Sequence, residues 1–297
     1  MGRVLLKTPS TFADYLDLTK PGIMLAILMT TFMGFFMGSR GVLDWSRLVW
    51  LLVGTALASG SAGALNHYWE SDIDANMART ADRPLPAKRL PPILALNFGV
   101  LLGLAALTVL VVFINPITAF LGGLTIALYI FIYTPLKRRS TLNTLVGAIP
   151  GALPPLAGWM AVQNHFSWEA LSIFLVFFLW QMPHFYAIAW LYREDYAKGG
   201  FIMLPNVDKT GNRLAFQVVF YAAVLVISSI WMTLQTHLGW FFLSVSTLMA
   251  VYFLYTSILM AGQKNQSAAK RVMITSFFYL PVLLIALLGD YLLTTVF

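Results

Sequence analysis

Nine long apolar runs dominate this chain and constrain its fold more than any other feature of the sequence. A hydrocarbon core about 30 Å thick is crossed by about 20 helical residues. Runs of about this length occupy residues 22–38, 49–66, 90–113, 117–134, 142–162, 169–191, 214–235, 240–261 and 271–296. Only 10% of the residues are charged, against roughly 25% in soluble domains. The sequence therefore predicts an all-α integral membrane protein with nine transmembrane helices, forming a single polytopic domain over residues 1–297.

The positions of the basic residues support this count and predict an orientation. All 19 Lys and Arg residues except Arg40 and Arg47 fall in the N-terminal tail or in loops that follow an even-numbered run. By the positive-inside rule, the N-terminus lies in the cytoplasm and the C-terminus lies across the membrane. Because these basic residues sit in short loops, the net charge of +7 indicates membrane topology and not nucleic-acid binding. Asp14 and Lys20 precede the first run and no small-x-small cleavage site follows it, which favours a retained helix.

A column of oxygen-bearing side chains lies at the cytoplasmic end of the second run. Asn66, Glu70 and Asp74 are spaced four residues apart, which places them within roughly 80° of one helix face over about 12 Å. Mg²⁺ commonly binds through one or two carboxylates together with substrate phosphates. The absence of cysteine excludes thiolate ligands and thiolate catalysis. A plainer interpretation is that the acids only solvate a loop, but ionisable groups emerging from an apolar span favour a functional role.

Three groups of basic residues occupy loops on the same predicted side of the membrane. They are Arg79, Arg83, Lys88 and Arg89 in the first loop, Lys137, Arg138 and Arg139 in the second, and Arg193 and Lys198 in the third. Arginine matches phosphate oxygens with a planar fork, and lysine acts as a point charge. The alternative, favoured for Lys88, Arg89 and Arg139, is that they only set topology beside anionic headgroups. Together with the acids and the apolar helices, the basic groups point to a lipid-tailed diphosphate as substrate.

The acidic stretch and its neighbours resemble a known signature. The pattern Asn66-x-x-x-Glu70-x-x-Ile73-Asp74-x-x-Met77-x-Arg79-Thr80-x-x-Arg83-Pro84-Leu85-Pro86 is similar to the first motif of the intramembrane aromatic prenyltransferase superfamily. That resemblance implies nine transmembrane helices around a central cavity. Further stretches resemble the branch whose acceptor is heme b: Leu18-Thr19-Lys20-Pro21, Tyr133-Thr134-Pro135-Leu136-Lys137-Arg138, Trp180-Gln181-Met182-Pro183-His184-Phe185 and Gly199-Gly200-Phe201-Ile202-Met203-Leu204-Pro205.

The resemblance implies a reaction, a cofactor and a set of site residues. The reaction transfers the farnesyl group of farnesyl diphosphate to a vinyl group of heme b, adds water and releases diphosphate, with Mg²⁺ as cofactor. The expected setting is the cytoplasmic (inner) membrane of a bacterium, with the active site on the cytoplasmic side and the product supplied to a heme A synthase or a terminal oxidase. The expected catalytic and metal-binding residues are Asn66, Glu70, Asp74 and Asp195. The expected substrate-binding residues are Arg79, Arg83, Lys137, Arg138, His184, Tyr192, Arg193 and Lys198.

Two positions in the second half of the chain leave alternatives open. The superfamily carries two aspartates four residues apart in the loop after the sixth span, whereas this chain has Tyr192-Arg193-Glu194-Asp195-Tyr196. We therefore expect Asp195 to share the metal or its water shell, without a symmetrical partner. His184 is interpreted either as a packing residue or as a contact to the heme iron or a heme propionate.

Two other functions are compatible with parts of the pattern. A prenyltransferase acting on an aromatic acid such as 4-hydroxybenzoate would share the first motif. A transporter would place its charges near the middle of the membrane on broken helices, whereas here the acids cluster at one face.

Overall fold

The structure of the protein is a computed structural model that describes residues 11–296. Arg3 and Lys7, which contribute to the predicted charge asymmetry, lie outside the described residues. The helices are α1 (Phe12–Leu18), α2 (Pro21–Ser39), α3 (Trp45–Asp74), α4 (Pro92–Phe113), α5 (Pro116–Leu136), α6 (Asn143–Gln163), α7 (Trp168–Leu191), α8 (Arg193–Lys198), α9 (Leu204–Val207), α10 (Asn212–Gln235), α11 (Trp240–Gln263) and α12 (Gln266–Val296). Among the described residues, nine of these helices are long and apolar enough to cross a membrane. The predicted all-helical fold with nine spans is confirmed.

Helix α3 is longer than its apolar run. The Asp44 side chain accepts a hydrogen bond from the backbone N–H of Arg47 and caps its first turn. The helix then continues through Asp74, well past residue 66, where the apolar run ends. The polar column is therefore part of one uninterrupted helix, as its four-residue spacing requires.

Helix α5 changes its winding before it ends. It is α-helical to Ala127, forms a π-helical turn over Leu128–Tyr133 and finishes at Leu136. Directly after that turn the Thr134 hydroxyl donates to the carbonyl of Tyr129 at 2.8 Å. Turns of this kind frequently mark functional sites, and the Thr134 hydroxyl beside this one contacts Asn66 of α3.

Small residues let the helices approach closely. A Cβ atom at Gly34 of α2 would overlap the Pro155 carbonyl of α6, and one at Gly158 of α6 would overlap the Thr31 carbonyl of α2. Because lipid removes most of the hydrophobic drive for helix association, membrane bundles depend on such backbone contacts. Helices α2 and α6 therefore pack nearly backbone to backbone through the middle of the bundle.

The glycine pairs at four-residue spacing act in the same way. The hydroxyl of Ser61 on α3 donates to the Gly99 carbonyl of α4 at 2.7 Å, and a Cβ at Gly103 would lie 2.8 Å from that same hydroxyl oxygen. Gly147 lies against the Tyr133 ring and Gly151 against the Gln181 side chain. Each pair places its helix within reach of a neighbour.

Candidate active site

Asn66, Glu70 and Asp74 lie on one face of the C-terminal part of α3, where they are almost completely buried. Their exposed fractions are 1%, 3% and 1%. Residues that carry charge are rarely this buried unless they are paired. The column is therefore buried inside the protein and is not a solvated loop.

Each carboxylate of the column is paired with a basic side chain from a different segment. The Lys137 ammonium, which follows α5, lies 2.8 Å and 3.0 Å from the two carboxylate oxygens of Glu70. Arg83, in the loop after α3, donates from Nη1 to Oδ2 of Asp74 at 2.7 Å. Arg83 and Lys137, both expected to bind substrate, thus lie against the two carboxylates of the column.

Asn66, the third residue of the column, is hydrogen-bonded to one cationic side chain and one neutral side chain. Its Oδ1 accepts from the Lys20 ammonium at 2.5 Å, and its Nδ2 donates to the Thr134 hydroxyl at 3.1 Å. Lys20 has a left-handed backbone with φ of 54° directly before Pro21, a strained conformation of the kind that persists at functional sites. The surrounding contacts therefore hold the Lys20 side chain over the column.

Charge in this site is unevenly balanced. Three cations, Lys20, Lys137 and Arg83, face two carboxylates. Although burial lowers the pKa of Lys137, the charge of Glu70 outweighs it and raises that pKa above its usual value. Burial lowers the pKa of Lys20, which has no carboxylate in hydrogen-bond contact among the described residues. The excess of positive charge suits a ligand with several negative charges, such as a diphosphate.

Arg79 and Asp195 form the rim of the site. The Arg79 guanidinium stands over the rings of Tyr192 and Tyr196, with its central carbon 5.3 Å and 5.9 Å from the two ring centroids. The Asp195 carboxylate accepts from the backbone N–H of Arg79 at 3.4 Å. Asp195 therefore joins α8 to the loop after α3 and does not contact the carboxylates of the column.

The other predicted substrate-binding residues are not drawn into the column. Arg193 stands over the Trp190 ring at 5.0 Å, and Arg138 and Lys198 are exposed. His184 is buried in the span α7, where its Nδ1 lies 2.6 Å from the Ser276 hydroxyl of α12. The hydrogen-bond partner of His184 thus comes from α12 and not from the column.

The residues of the column fit a hard divalent cation. Among residues 11–296, no three His, Asp or Glu side chains lie close enough together to hold a metal ion by themselves. The donors are instead an amide and two carboxylates, and Oδ1 of Asp74 is buried without a hydrogen-bond partner. Mg²⁺ takes one or two carboxylates and fills its shell with substrate oxygens and water, which matches a donor set of this size.

Three residues of the site received no assigned role from the sequence. Lys20 lies in the Leu18-Thr19-Lys20-Pro21 stretch. Its position directly before an apolar span could have indicated a role at the membrane-facing site. Tyr133 and Thr134 lie within the Tyr133–Arg138 stretch; the ring of Tyr133 is 4.7 Å from the Lys137 ammonium. Their contribution depends on the π-helical turn, which no sequence pattern indicated.

Comparisons of the sequence with known proteins identify its family. The profile of the UbiA prenyltransferase family matches residues 27–281. A protoheme IX farnesyltransferase from Salinibacter ruber is 44% identical over 278 residues, which cover 94% of this chain and 98% of that protein. A protoheme IX farnesyltransferase from Solibacter usitatus is 41% identical over 279 residues, covering 91% and 96%.

Solved structures share the fold at low sequence identity. A digeranylgeranylglyceryl phosphate synthase superposes with a TM-score of 0.79 at 18% identity, covering 94% of this chain and 98% of that chain. A UbiA homolog from Archaeoglobus fulgidus bound to DMAPP and Mg²⁺ superposes with a TM-score of 0.67 at 15% identity, covering 92% and 99%. With a matching family profile over most of its length and relatives above 40% identity, this chain belongs to the UbiA prenyltransferase family.

Proposed function

We propose that this protein transfers the farnesyl group of farnesyl diphosphate to a vinyl group of heme b. The observation that carries the proposal is the match, along nearly the whole chain, to relatives named protoheme IX farnesyltransferase. In the reaction, C1 of the farnesyl group leaves the diphosphate oxygen and bonds to the vinyl carbon. Water supplies a hydroxyl to the adjacent carbon and releases a proton, so the products are heme O and diphosphate.

The buried column and its cations form the diphosphate subsite in this proposal. Arg83 and Lys137 are already within hydrogen-bond distance of Asp74 and Glu70, so a diphosphate entering the site exchanges carboxylate contacts for phosphate contacts. Arg79 at the rim adds a further cation, held by the rings of Tyr192 and Tyr196. Each of these charge-assisted contacts is among the stronger hydrogen bonds available to a protein.

Asn66, Glu70 and Asp74 are the residues that would hold Mg²⁺. When bound, Mg²⁺ neutralises the charge that grows on the departing diphosphate. The unpartnered Oδ1 of Asp74 is the ligand atom that requires the least rearrangement. In this proposal Asp195 acts through the Arg79 backbone, while Arg138, Arg193 and Lys198 attract the anionic substrate from further away.

The apolar helices below the column accommodate the isoprenoid tail and keep water away from the allylic carbon until the acceptor is in place. The basic loops lie on the same side as the column, which by the positive-inside rule supports an active site on the cytoplasmic side. The proposed membrane is the inner membrane of a bacterium. The heme product then passes to an enzyme that oxidises its side chain, such as heme A synthase, or to a terminal oxidase. His184 is proposed to contact the heme between α7 and α12.

The test is a transfer assay with the purified protein, heme b, farnesyl diphosphate and Mg²⁺, read by the mass of the heme. We expect conversion to heme O that stops when a chelator removes the metal. Asp74→Ala and Glu70→Ala should abolish transfer while the protein remains folded in the membrane. Asp72→Ala is the matched control, because Asp72 is exposed on the same helix.

Two results would contradict the proposal in different ways. Prenylation of 4-hydroxybenzoate with no change in heme would replace the acceptor and leave the diphosphate site intact. Near-normal turnover of the Asp74→Ala and Glu70→Ala variants would remove the column from the metal site.

A further inference from the structure

Helix α1 is too short to be stable by itself. It contains seven residues, Phe12–Leu18, and isolated helices shorter than about 12 residues are marginal in water. The helix therefore keeps its place through contacts with the rest of the chain. Lys20 follows α1 after a single residue, so the contacts that hold α1 also set where the Lys20 side chain begins.

Helix α1 is held at both ends. At its C-terminal end Leu18 is completely buried, and a Cβ at Gly63 of α3 would lie 2.6 Å from the Leu18 carbonyl oxygen. In its first turn the Asp14 carboxylate accepts from Nε of Arg89 at 2.7 Å. Asp14 is only 6% exposed, so Arg89 supplies the partner that a buried carboxylate requires.

Arg89 also braces the loop segment that carries Arg83. Its Nη1 donates to the Asp82 carboxylate at 3.2 Å, and its Nη2 donates to the Asp82 carbonyl at 3.0 Å. Its backbone N–H donates to the Pro84 carbonyl at 2.9 Å. Asp82 and Pro84 flank Arg83 in the sequence. Arg89 therefore fixes the backbone from which Arg83 reaches Asp74.

The Lys20 side chain depends on this support because its own backbone is strained. Its φ of 54° lies in the left-handed region, where a residue other than glycine persists only if the surrounding structure over-determines it. Its hydrogen-bond partner in the column is the neutral Asn66 amide. If α1 were released, the backbone could relax and the ammonium could leave the column for water.

We propose that Arg89 is a positioning residue that holds two of the three cations of the column in place. It holds Lys20 through Asp14 and α1, and it holds Arg83 through the backbone of the neighbouring loop. This inference rests on the proposed function for the identity of the anion that these cations bind. Arg89 does not bind that anion itself, because each of its three guanidinium nitrogens donates to Asp14 or Asp82.

The experiment measures the dissociation constant of farnesyl diphosphate with Mg²⁺ and without heme, on the purified full-length protein. Arg89→Met should weaken binding by roughly tenfold or more, because it displaces two cations that each make a charge-assisted contact. Asp14→Ala releases only α1 and should weaken binding by a smaller factor.

The Asp14→Ala variant separates positioning from simple attraction between charges. Removing a negative charge near the site would by itself tighten the binding of an anion, whereas release of Lys20 weakens it. Alanine is also the best helix former, so the change does not lower the helix propensity of α1 itself. The direction of the change in affinity therefore distinguishes the two explanations.

A double-variant cycle tests whether Asp14 acts through Lys20. Once Lys20→Met is present, Asp14→Ala should have no further effect on affinity, so the double variant should bind like Lys20→Met alone. The melting temperature of each unliganded variant shows whether it is folded. A purely structural role would lower the melting temperature and leave the affinity of the folded protein unchanged.

Arg271→Met is the matched control. It removes an exposed arginine near the start of α12, on the same predicted side of the membrane, and should leave the dissociation constant unchanged. Arg89→Met and Asp14→Ala break the same contact from opposite partners. If one of them does not fold, the other still tests the proposal.

The outcomes separate this inference from the proposed function. Unchanged or tighter binding in either folded variant would overturn the positioning role even if heme b is farnesylated. Additive effects of Asp14→Ala and Lys20→Met would also overturn it, whereas weaker binding without additivity supports it. If binding follows the expected pattern but heme b is not prenylated in the transfer assay, the positioning role stands and the acceptor is wrong.

Discussion

Removing the Lys137 ammonium should destabilise the protein because it leaves the Glu70 carboxylate buried without a counter-charge. The side chains of Lys137 and Glu70 are only 10% and 4% exposed. Breaking a buried ion pair by deleting one partner costs about 3–5 kcal/mol, whereas replacing both partners with neutral groups is often neutral or stabilising. We therefore expect a large loss of stability in Lys137→Met and a much smaller loss in the double variant Glu70→Gln/Lys137→Met.

The loss can be expressed as a melting temperature. For a chain of this size, 1 kcal/mol corresponds to roughly 2 °C, so Lys137→Met should melt roughly 6–10 °C below the wild type. The double variant should recover most of that difference. The measurement is size-exclusion of heated, detergent-solubilised protein without metal or substrate, which makes the result independent of activity.

The control for these stability measurements is Lys198→Met, which removes an exposed lysine from the end of α8. It should change the melting temperature by less than about 1 °C, because surface substitutions rarely affect stability. If the effects of Glu70→Gln and Lys137→Met simply add in the double variant, the two side chains are not energetically coupled. The pairing would then contribute nothing to the stability of the polar column.

Three further predictions concern other contacts. Arg79→Ala and Arg83→Ala should each raise the KM for farnesyl diphosphate by roughly tenfold or more with a smaller change in kcat, because a hydrogen bond to a charged group contributes about 1.5–3 kcal/mol; steady-state kinetics checks this. Asp14 has a lowered pKa, chiefly because Arg89 donates to it, so its stabilisation is present above its usual pKa of about 4 and is lost as the pH falls below that value. The melting-temperature advantage of the wild type over Asp14→Asn should therefore shrink between pH 5 and about pH 3. Gly158→Ala should cost about 1–3 kcal/mol by overpacking α6 against α2, measured by thermal unfolding.

These three predictions have separate controls and failures. Unchanged KM values would show that both arginines do not bind the diphosphate and serve only to set the membrane topology. A pH-independent difference between Asp14→Asn and the wild type would show that the ion pair with Arg89 is not the source of the stabilisation. Gly262→Ala is the control for the packing prediction, since a Cβ at Gly262 meets nothing within 4 Å; equal stability of the two glycine variants would contradict close contact between α2 and α6.

The sequence alone establishes the helical membrane fold and the core of the candidate site. Nine apolar runs become nine spans because a helix is the only open segment that satisfies its backbone groups in lipid. The four-residue spacing of Asn66, Glu70 and Asp74 is a local property of one helix, so it could be read before any packing was known. Arg79 and Arg83 follow within a few residues on the same chain segment.

Tertiary structure decides which distant groups meet that helix. Lys20 and Lys137 belong to loops far from Glu70 in sequence, and they reach the column because α2 and α5 pack beside α3. Asp195 and His184 show the opposite outcome: the first contacts the Arg79 backbone and the second contacts Ser276. Such contacts depend on how separate helices pack, so they cannot be deduced from the spacing of residues along the sequence.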